Sequence, residues 1–221
     1  MLSSMATRDL LAELIAHYEL ESDDRVNCEA AGGVDVAKRV RADEPVDVVV
    51  LASNAVDSLI ADGKLRQRFD LVRSGIAVAV RAGAVRPSIE TEAAVRAAVL
   101  AAASVSYSTG PSGVYLEKLF ARWGILEEIR ARIVVPPPGV AVGSLVASGA
   151  VALGFQQLSE LQNVAGLELL GPLPAAIQSI TVFSGAVAVR SPAGTAAESL
   201  LRFLASLAVA PIKRRHGMET V

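Results

Sequence analysis

Val46-Asp47-Val48-Val49-Val50-Leu51-Ala52-Ser53, followed by a segment that closes at Leu59-Ile60-Ala61-Asp62-Gly63, decides the fold class of this chain. The valine-dominated run from Val46 to Leu51 lacks the apolar/polar alternation of a half-exposed strand. It therefore reads as a strand buried on both faces, which requires helices on both sides of its sheet. Ser53-Asn54 reads as the cap of a helix over 55–61, and Gly63 as its stop. The repeating unit is thus a buried strand, a short polar join and a helix.

The same join appears at Ser3-Ser4-Met5-Ala6-Thr7, at Ala31-Gly32-Gly33, at Ser108-Thr109-Gly110-Pro111-Ser112-Gly113 and at Pro138-Gly139-Val140. Each leaves the first N–H groups of a helix unpaired at the positive end of its dipole, which makes it a potential anion seat. Thr7 is expected to cap a first helix whose Leu10, Leu11, Leu14, Ile15 and Tyr18 share one stripe. A strand over 26–30 and a helix over 34–42 follow. Extended segments near Leu71 to Ile76 and Ile177 to Val182 read as two crossings between lobes. Between them come helices over 90–103, 114–123, 125–132 and 142–147, strands over 105–108 and 151–155, and a short helix over 158–162. A β-rich stretch over 179–189 and helices over 196–205 and 212–215 close the chain. Strands alternating with helices predict a parallel α/β sheet with its ligand loops at the carboxyl ends of the strands.

With 52% hydrophobic residues in 221, the chain can build real cores and is not disordered. A net charge of −2 lacks the basic excess that nucleic-acid binding needs. The one basic run, Lys213-Arg214-Arg215-His216, reads as a solvated helix end whose cations offset the dipole. Cys28 is the single cysteine and allows no intrachain disulfide; with only His17 and His216 besides, no metal site and no cofactor are expected. Neither glycine loop gives G-x-G-x-x-G or G-K-[ST], and no G-x-S-x-G elbow is present, so nucleotide binding and serine hydrolysis are disfavoured.

Other chemistry-bearing residues have ordinary structural readings. Glu127-Glu128 fits a solvated helix face, Tyr107 a strand core, and Tyr115 first-turn packing. Gln156-Gln157, after the buried run Val151 to Phe155, fits either a surface turn or a pair of amides donating to an anion.

The segments 3–14, 32–40, 46–63, 112–124, 148–160 and 213–219 together resemble the molybdate-type periplasmic substrate-binding proteins of ABC transporters. That resemblance implies two Rossmann-like α/β lobes joined by a two-strand hinge, the type II periplasmic-binding-protein fold, with residues 1–75 and 180–221 in lobe 1 and 76–179 in lobe 2. It also implies an anion held in the interlobe cleft by backbone N–H groups and hydroxyls. Carried over by position, Ser3 and Ser4 fall at the first anion loop, Gly32 and Gly33 at the second, Ser112 at the third and Val140 near the fourth. Gln157 stands where the molybdate binders place a tyrosine, and the two glycines stand where they present a serine. The string Gly154-Phe155-Gln156-Gln157-Leu158-Ser159-Glu160 is similar to a related branch, aconitate isomerase, which interconverts unsaturated tricarboxylates.

Two functions follow as expectations. The first is a substrate-binding protein for a molybdate-like oxyanion or a carboxylate, monomeric, working with an ABC transporter permease, with no catalytic residues and no membrane insertion. The alternative is an isomerase of an unsaturated tricarboxylate, with Glu160 as the best-placed carboxylate and Arg8 or Lys38, just inside helices at the first two loops, as cationic partners. Met1 and Leu2 alone precede the serine loop, so either the central sheet lacks a full first strand or the protein begins earlier. As written, the chain shows no signal peptide and reads as cytoplasmic; a start codon further upstream would make it periplasmic.

Overall fold

The structure, a computed structural model, describes residues 1–137 and 139–221. Pro138, which the sequence places in the fourth join and the proline run, lies outside the described residues. In chain order the elements are β1 (Leu2–Ser4), α1 (Arg8–Glu21), β2 (Glu29–Ala31), α2 (Gly33–Arg41), β3 (Val48–Ala52), α3 (Ser53–Ala61) and β4 (Leu65–Arg81). They continue with α4 (Glu92–Ala101), β5 (Val105–Tyr107), α5 (Pro111–Arg122), α6 (Leu126–Ile129), α7 (Val142–Ser148), β6 (Leu153–Gln157) and α8 (Leu158–Leu161). The last are β7 (Leu167–Pro172), β8 (Ile180–Ala188), α9 (Gly194–Ala205) and α10 (Ala210–Arg215). Among the described residues no single helix is long and apolar enough to cross a membrane.

The chain divides into two compact α/β units, one formed by Met1–Ser74 with Thr181–Val221 and the other by Gly75–Ile180. In the first unit β1 runs parallel to β2 and to β3, and β8 lies antiparallel to β3. The sheet is therefore mixed, where the strand–helix alternation predicts a parallel one. Only strands joined by a crossover helix come out parallel, and β8 enters this unit without one.

Ser3 and Ser4 do not form a loop. They are the body of β1, with Ser3 opposite Ala30 on one side and Val50 on the other. A first strand is thus present, three residues long, because two pairing neighbours make a strand of a serine-rich segment that periodicity cannot reveal.

β3 is buried along its whole length. Its Val48 and Val50 pack with Leu10 and Leu14 of α1 and with Leu200, Leu201 and Leu204 of α9. Its Val49 and Leu51 pack with Val36 and Val40 of α2 and with Val56 and Leu59 of α3. This is the two-sided burial that the valine run requires.

The second unit orders its strands β5, β6, β4, β7, with β5 parallel to β6 and β4 antiparallel to both neighbours. β7 is a strand that the sequence does not announce, because Leu167-Glu168-Leu169-Leu170-Gly171-Pro172 is only half-buried and its register slips at a bulge opposite Val78/Ala79. One face of this sheet carries Phe120 and Phe155 with Tyr107 and the α4–α6 apolar residues. The other carries Val142, Val146 and Leu161. A Cβ on Gly154 would lie 2.4 Å from Val146 and 2.9 Å from Val142, so glycine there is what lets α7 sit directly on β6.

The basic run near the C-terminus is only in part a solvated helix end. Lys213 is fully buried, and its ammonium donates to the carbonyls of Leu71 at 2.9 Å and Ser206 at 3.4 Å. Burial pulls its pKa down from 10.5 to about 8. The folded state thus binds fewer protons than the unfolded chain across that interval, and stability rises with pH there. Chemical denaturation of wild type and of Lys213→Met from pH 7 to 10.5 should show the difference moving in favour of wild type by up to about 3 kcal/mol; a flat difference would remove the ammonium as its cause.

Candidate functional site

Parallel strands bring their carboxyl ends to one edge of a sheet, where their helices begin. In the first unit those ends are Ala31 of β2, Ser4 of β1 and Ala52 of β3, with Ser4 in register with Ala31. From them start α2 at Gly33, a 3-10 turn over Met5–Thr7 leading into α1, and α3 at Ser53. Each first turn presents N–H groups that have no intrahelical partner. Of the predicted residues, Ser3, Ser4, Gly32 and Gly33 are thus gathered on one edge. Ser53 joins them; the sequence marks it as a cap, but it is the first residue of α3, which follows Ala52 with no side-chain cap, and the parallel pairing of β3 with β1 is what brings it there.

The hydroxyls on this edge are held in place by one another. Ser3 is fully buried and its Oγ accepts from the Cys28 thiol at 3.7 Å, while burial pushes that thiol's pKa up. Ser4 Oγ lies 3.3 Å from Thr7 Oγ1, and Thr7 Oγ1 donates to the Ser4 carbonyl at 3.1 Å. Thr7 therefore stands at the start of α1 without capping it by its side chain. A side chain at Gly33 would meet only Leu51, at 3.7 Å, whereas one at Gly32 would press on the Asp35 carboxylate at 3.1 Å. Lys38 does not lie at the start of its helix; it belongs to the last turn of α2, exposed and 4.0 Å from Asp35. Arg8 opens α1 with its guanidinium on Asp9 at 2.8 Å.

In the second unit β5 and β6 end side by side, with Tyr107 in register with Phe155. After β5 the chain turns through Ser108 to Gly110 into α5, where buried Ser112 lies 2.8 Å from Ser108, hydroxyl to hydroxyl. A Cβ on Gly113 would fall 1.6 Å from the Ser108 carbonyl oxygen. The tyrosines flanking this loop face inward: Tyr107 donates to Glu117 at 3.2 Å, and burial, then the Glu117 charge, pushes its pKa up to about 12. Tyr115 donates to the Ile177 carbonyl at 2.8 Å.

Gln156 and Gln157 are not in a turn; both belong to β6 and both are buried. Gln157 pairs in register with Ile76 and immediately precedes α8. The Gln156 amide is committed inside the unit: its Oε1 accepts from the Gly143 N–H at 3.0 Å and its Nε2 donates to Glu160 Oε1 at 2.7 Å. Val140 lies on the approach to α7, but its own N–H donates to the Pro137 carbonyl at 3.0 Å. As a backbone donor it is already engaged. The structure thus brings Ser112 and Gln157 to neighbouring strand ends, with Glu160 one helical turn past the second.

Among the described residues no group of three or more His, Cys, Asp or Glu is placed to hold a metal ion. A surface groove in the first unit, lined in part by Asp43, Asp47, Asp62, Lys64 and Arg190, lies at the amino end of β3, away from the helix starts. Within it Lys64 and Arg190 pair with Asp43 at 2.8 and 3.3 Å, and Arg41 beside it pairs with Asp62 at 2.8 Å.

Residues 1–219 match the family model described as bacterial extracellular solute-binding protein. Over 231 aligned positions the chain is 36% identical to a Pseudomonas sp. protein named aconitate isomerase, a match covering all of this chain and 87% of that protein. Among solved structures, the periplasmic molybdate-binding protein of Azotobacter vinelandii superposes with a TM-score of 0.82 at 19% identity, covering 100% of this chain and 98% of the other. A tungstate ABC transporter protein from Geobacter sulfurreducens gives a TM-score of 0.71 at 16% identity, covering 96% and 95%. At these identities the structural likeness establishes a shared fold.

Proposed function

The chain belongs to the bacterial extracellular solute-binding protein family, and from that premise we propose that it binds a small polycarboxylate, an unsaturated tricarboxylic acid of the aconitate type, and isomerises it. The observation that carries this reading is the full-length likeness to an aconitate isomerase, which leaves no part of this chain unmatched. The local chemistry supports it. First-turn N–H groups of α2, α3 and α5, with hydroxyls at Ser4, Ser53 and Ser112, are donors suited to carboxylate oxygens, and charge-assisted hydrogen bonds of this kind are the strong ones. Ser3, Gly32 and Gly33 shape the strand ends of the first unit, and Gln157 that of β6 in the second.

A second reading is favoured by the superposition on molybdate- and tungstate-binding structures. In it the ligand is a tetrahedral metal oxyanion and the partner is an ABC transporter permease. The two readings separate in a thermal-shift experiment on purified protein with molybdate, tungstate, sulfate, phosphate, citrate, cis-aconitate and trans-aconitate. A ligand at 100 times its Kd stabilises by about 2.7 kcal/mol. The expected result is a shift with the tricarboxylates and none with the metal oxyanions. A shift with molybdate or tungstate alone would replace the isomerase reading by the transport one, and silence across the panel would remove this ligand class.

A further inference from the structure

We propose that Glu160 is the carboxylate that moves the substrate proton and that Gln156 is its positioning residue, an inference that rests on the isomerase reading above. In the second unit Glu160 is the acidic residue that follows a parallel strand end most closely, three residues past Gln157 in α8. It is half-buried, and the Gln156 amide nitrogen holds its Oε1 at 2.7 Å. The orientation of that amide is not free to reverse. Its oxygen faces the Gly143 N–H at 3.0 Å, which only an acceptor can satisfy, so its NH2 must face Glu160.

Gln156 is 2% exposed, on the sheet face where Ala77 and Ala79 of β4 meet Val142 and Val146 of α7 and Leu161 of α8. An apolar side chain there would leave the buried Gly143 N–H without an acceptor and Glu160 without the amide donor, so the amide ties the start of α7 to the Glu160 carboxylate. What the amide fixes is one orientation of a carboxylate close to a strand end. Proton transfer gains a great deal from one, since an oriented base of suitable strength contributes about 10²- to 10⁴-fold.

The step is balanced without a co-reactant. A Glu160 carboxylate oxygen takes the allylic proton, so that an O–H bond forms as the C–H bond breaks. The electron pair left behind spreads over the adjacent double bond and its carboxylate. The same carboxyl then returns a proton to the far carbon of the three-carbon unit, the double bond ends one position along, and Glu160 is again a carboxylate.

Wild type, Glu160→Gln, Gln156→Leu and Gln156→Glu are compared for turnover of trans-aconitate by proton NMR in D2O, and for binding of cis- and trans-aconitate by calorimetry. Glu160→Gln should lose about 10³-fold in turnover while binding the acids as tightly as wild type or more tightly. Gln156→Leu should lower kcat by about 10- to 100-fold and leave KM within about threefold, the mark of a misplaced base. Gln156→Glu keeps the acceptor for Gly143 but sets a second carboxylate against Glu160. Its activity should recover as pH falls and its own proton restores a donor. That variant carries the positioning test if Gln156→Leu fails to fold.

Turnover by Glu160→Gln within tenfold of wild type overturns the proposal and leaves the isomerase reading standing. A Gln156→Glu protein equal to wild type at every pH overturns the positioning role, since the amide would then serve α7 alone. Wild type that binds the acids without turning them over, or fails to bind them, removes the isomerase reading and this proposal with it.

Discussion

Gly113→Ala is expected to destabilise the second unit by about 3 kcal/mol or more, at the upper end of overpacking costs, and to weaken ligand binding at least about tenfold. The added methyl would sit 1.6 Å from the Ser108 carbonyl oxygen and 2.8 Å from its carbon. Both are backbone atoms, so no rotamer change relieves the overlap and the start of α5 must move away from β5. That displacement also parts Ser112 from Ser108, now 2.8 Å apart, and swings the first-turn N–H groups off the ligand. Urea denaturation and calorimetric titration check the two effects. Gly33→Ala is the control, because its methyl meets only a leucine side chain at ordinary distance, 3.7 Å. Equal losses in the two variants would show that any side chain in a first turn is harmful and that the Ser108 contact is not the cause.

Phe120→Ala is expected to cost about 3–5 kcal/mol. Phe120 is fully buried and is the hub of an aromatic set, with ring centroids 5.9 Å from Tyr107, 5.7 Å from Trp123 and 6.0 Å from Phe155. Removing it leaves a void walled by three large rings that cannot collapse onto one another. Tyr107 and Phe155 lie on the two strands whose ends carry Ser112 and Gln157, so the loss loosens the platform of the site as well as the core. Trp123 is the chain's single tryptophan and packs against Phe120 at a tilt of 35°, so its fluorescence follows this unit through a denaturant titration. A change in stability below about 1 kcal/mol would show that the neighbouring rings refill the space.

How much of the candidate site is legible in the residues depends on whether the decisive contact is local. Gly32-Gly33 and Ser108 to Gly113 are legible as helix starts, because turn glycines, small hydroxyls and a first-turn proline act within a few residues of their own position. Ser53 is only half legible: its place at a helix start is local, but its place beside Ser4 depends on β3 pairing with β1, some fifty residues away. Gln156 misleads in one dimension. Two adjacent amides suggest an outward-facing turn, and the partners that turn one of them inward, Gly143 and Glu160, are supplied by α7 and α8.

The same division holds for the fold. Periodicity and composition by themselves determined the α/β class and the fully buried β3 with helices on both faces, since burial pattern is written residue by residue, whereas helix starts such as Ser53 and Pro111 came out two or three residues from where the pattern placed them. Only the tertiary structure decided that Ser3-Ser4 is a strand, that β8 runs antiparallel, that β7 exists and that Lys213 is buried. Each of these depends on a partner distant in sequence: a neighbouring strand for the serines, a route through the other unit for β8, the bulged β4 for β7. For the lysine it is the carbonyl of Leu71, 142 residues away, that makes burial of an ammonium tolerable. Hydrogen bonds and desolvation act between whatever groups the packed chain brings together, and a linear pattern does not record who those neighbours are.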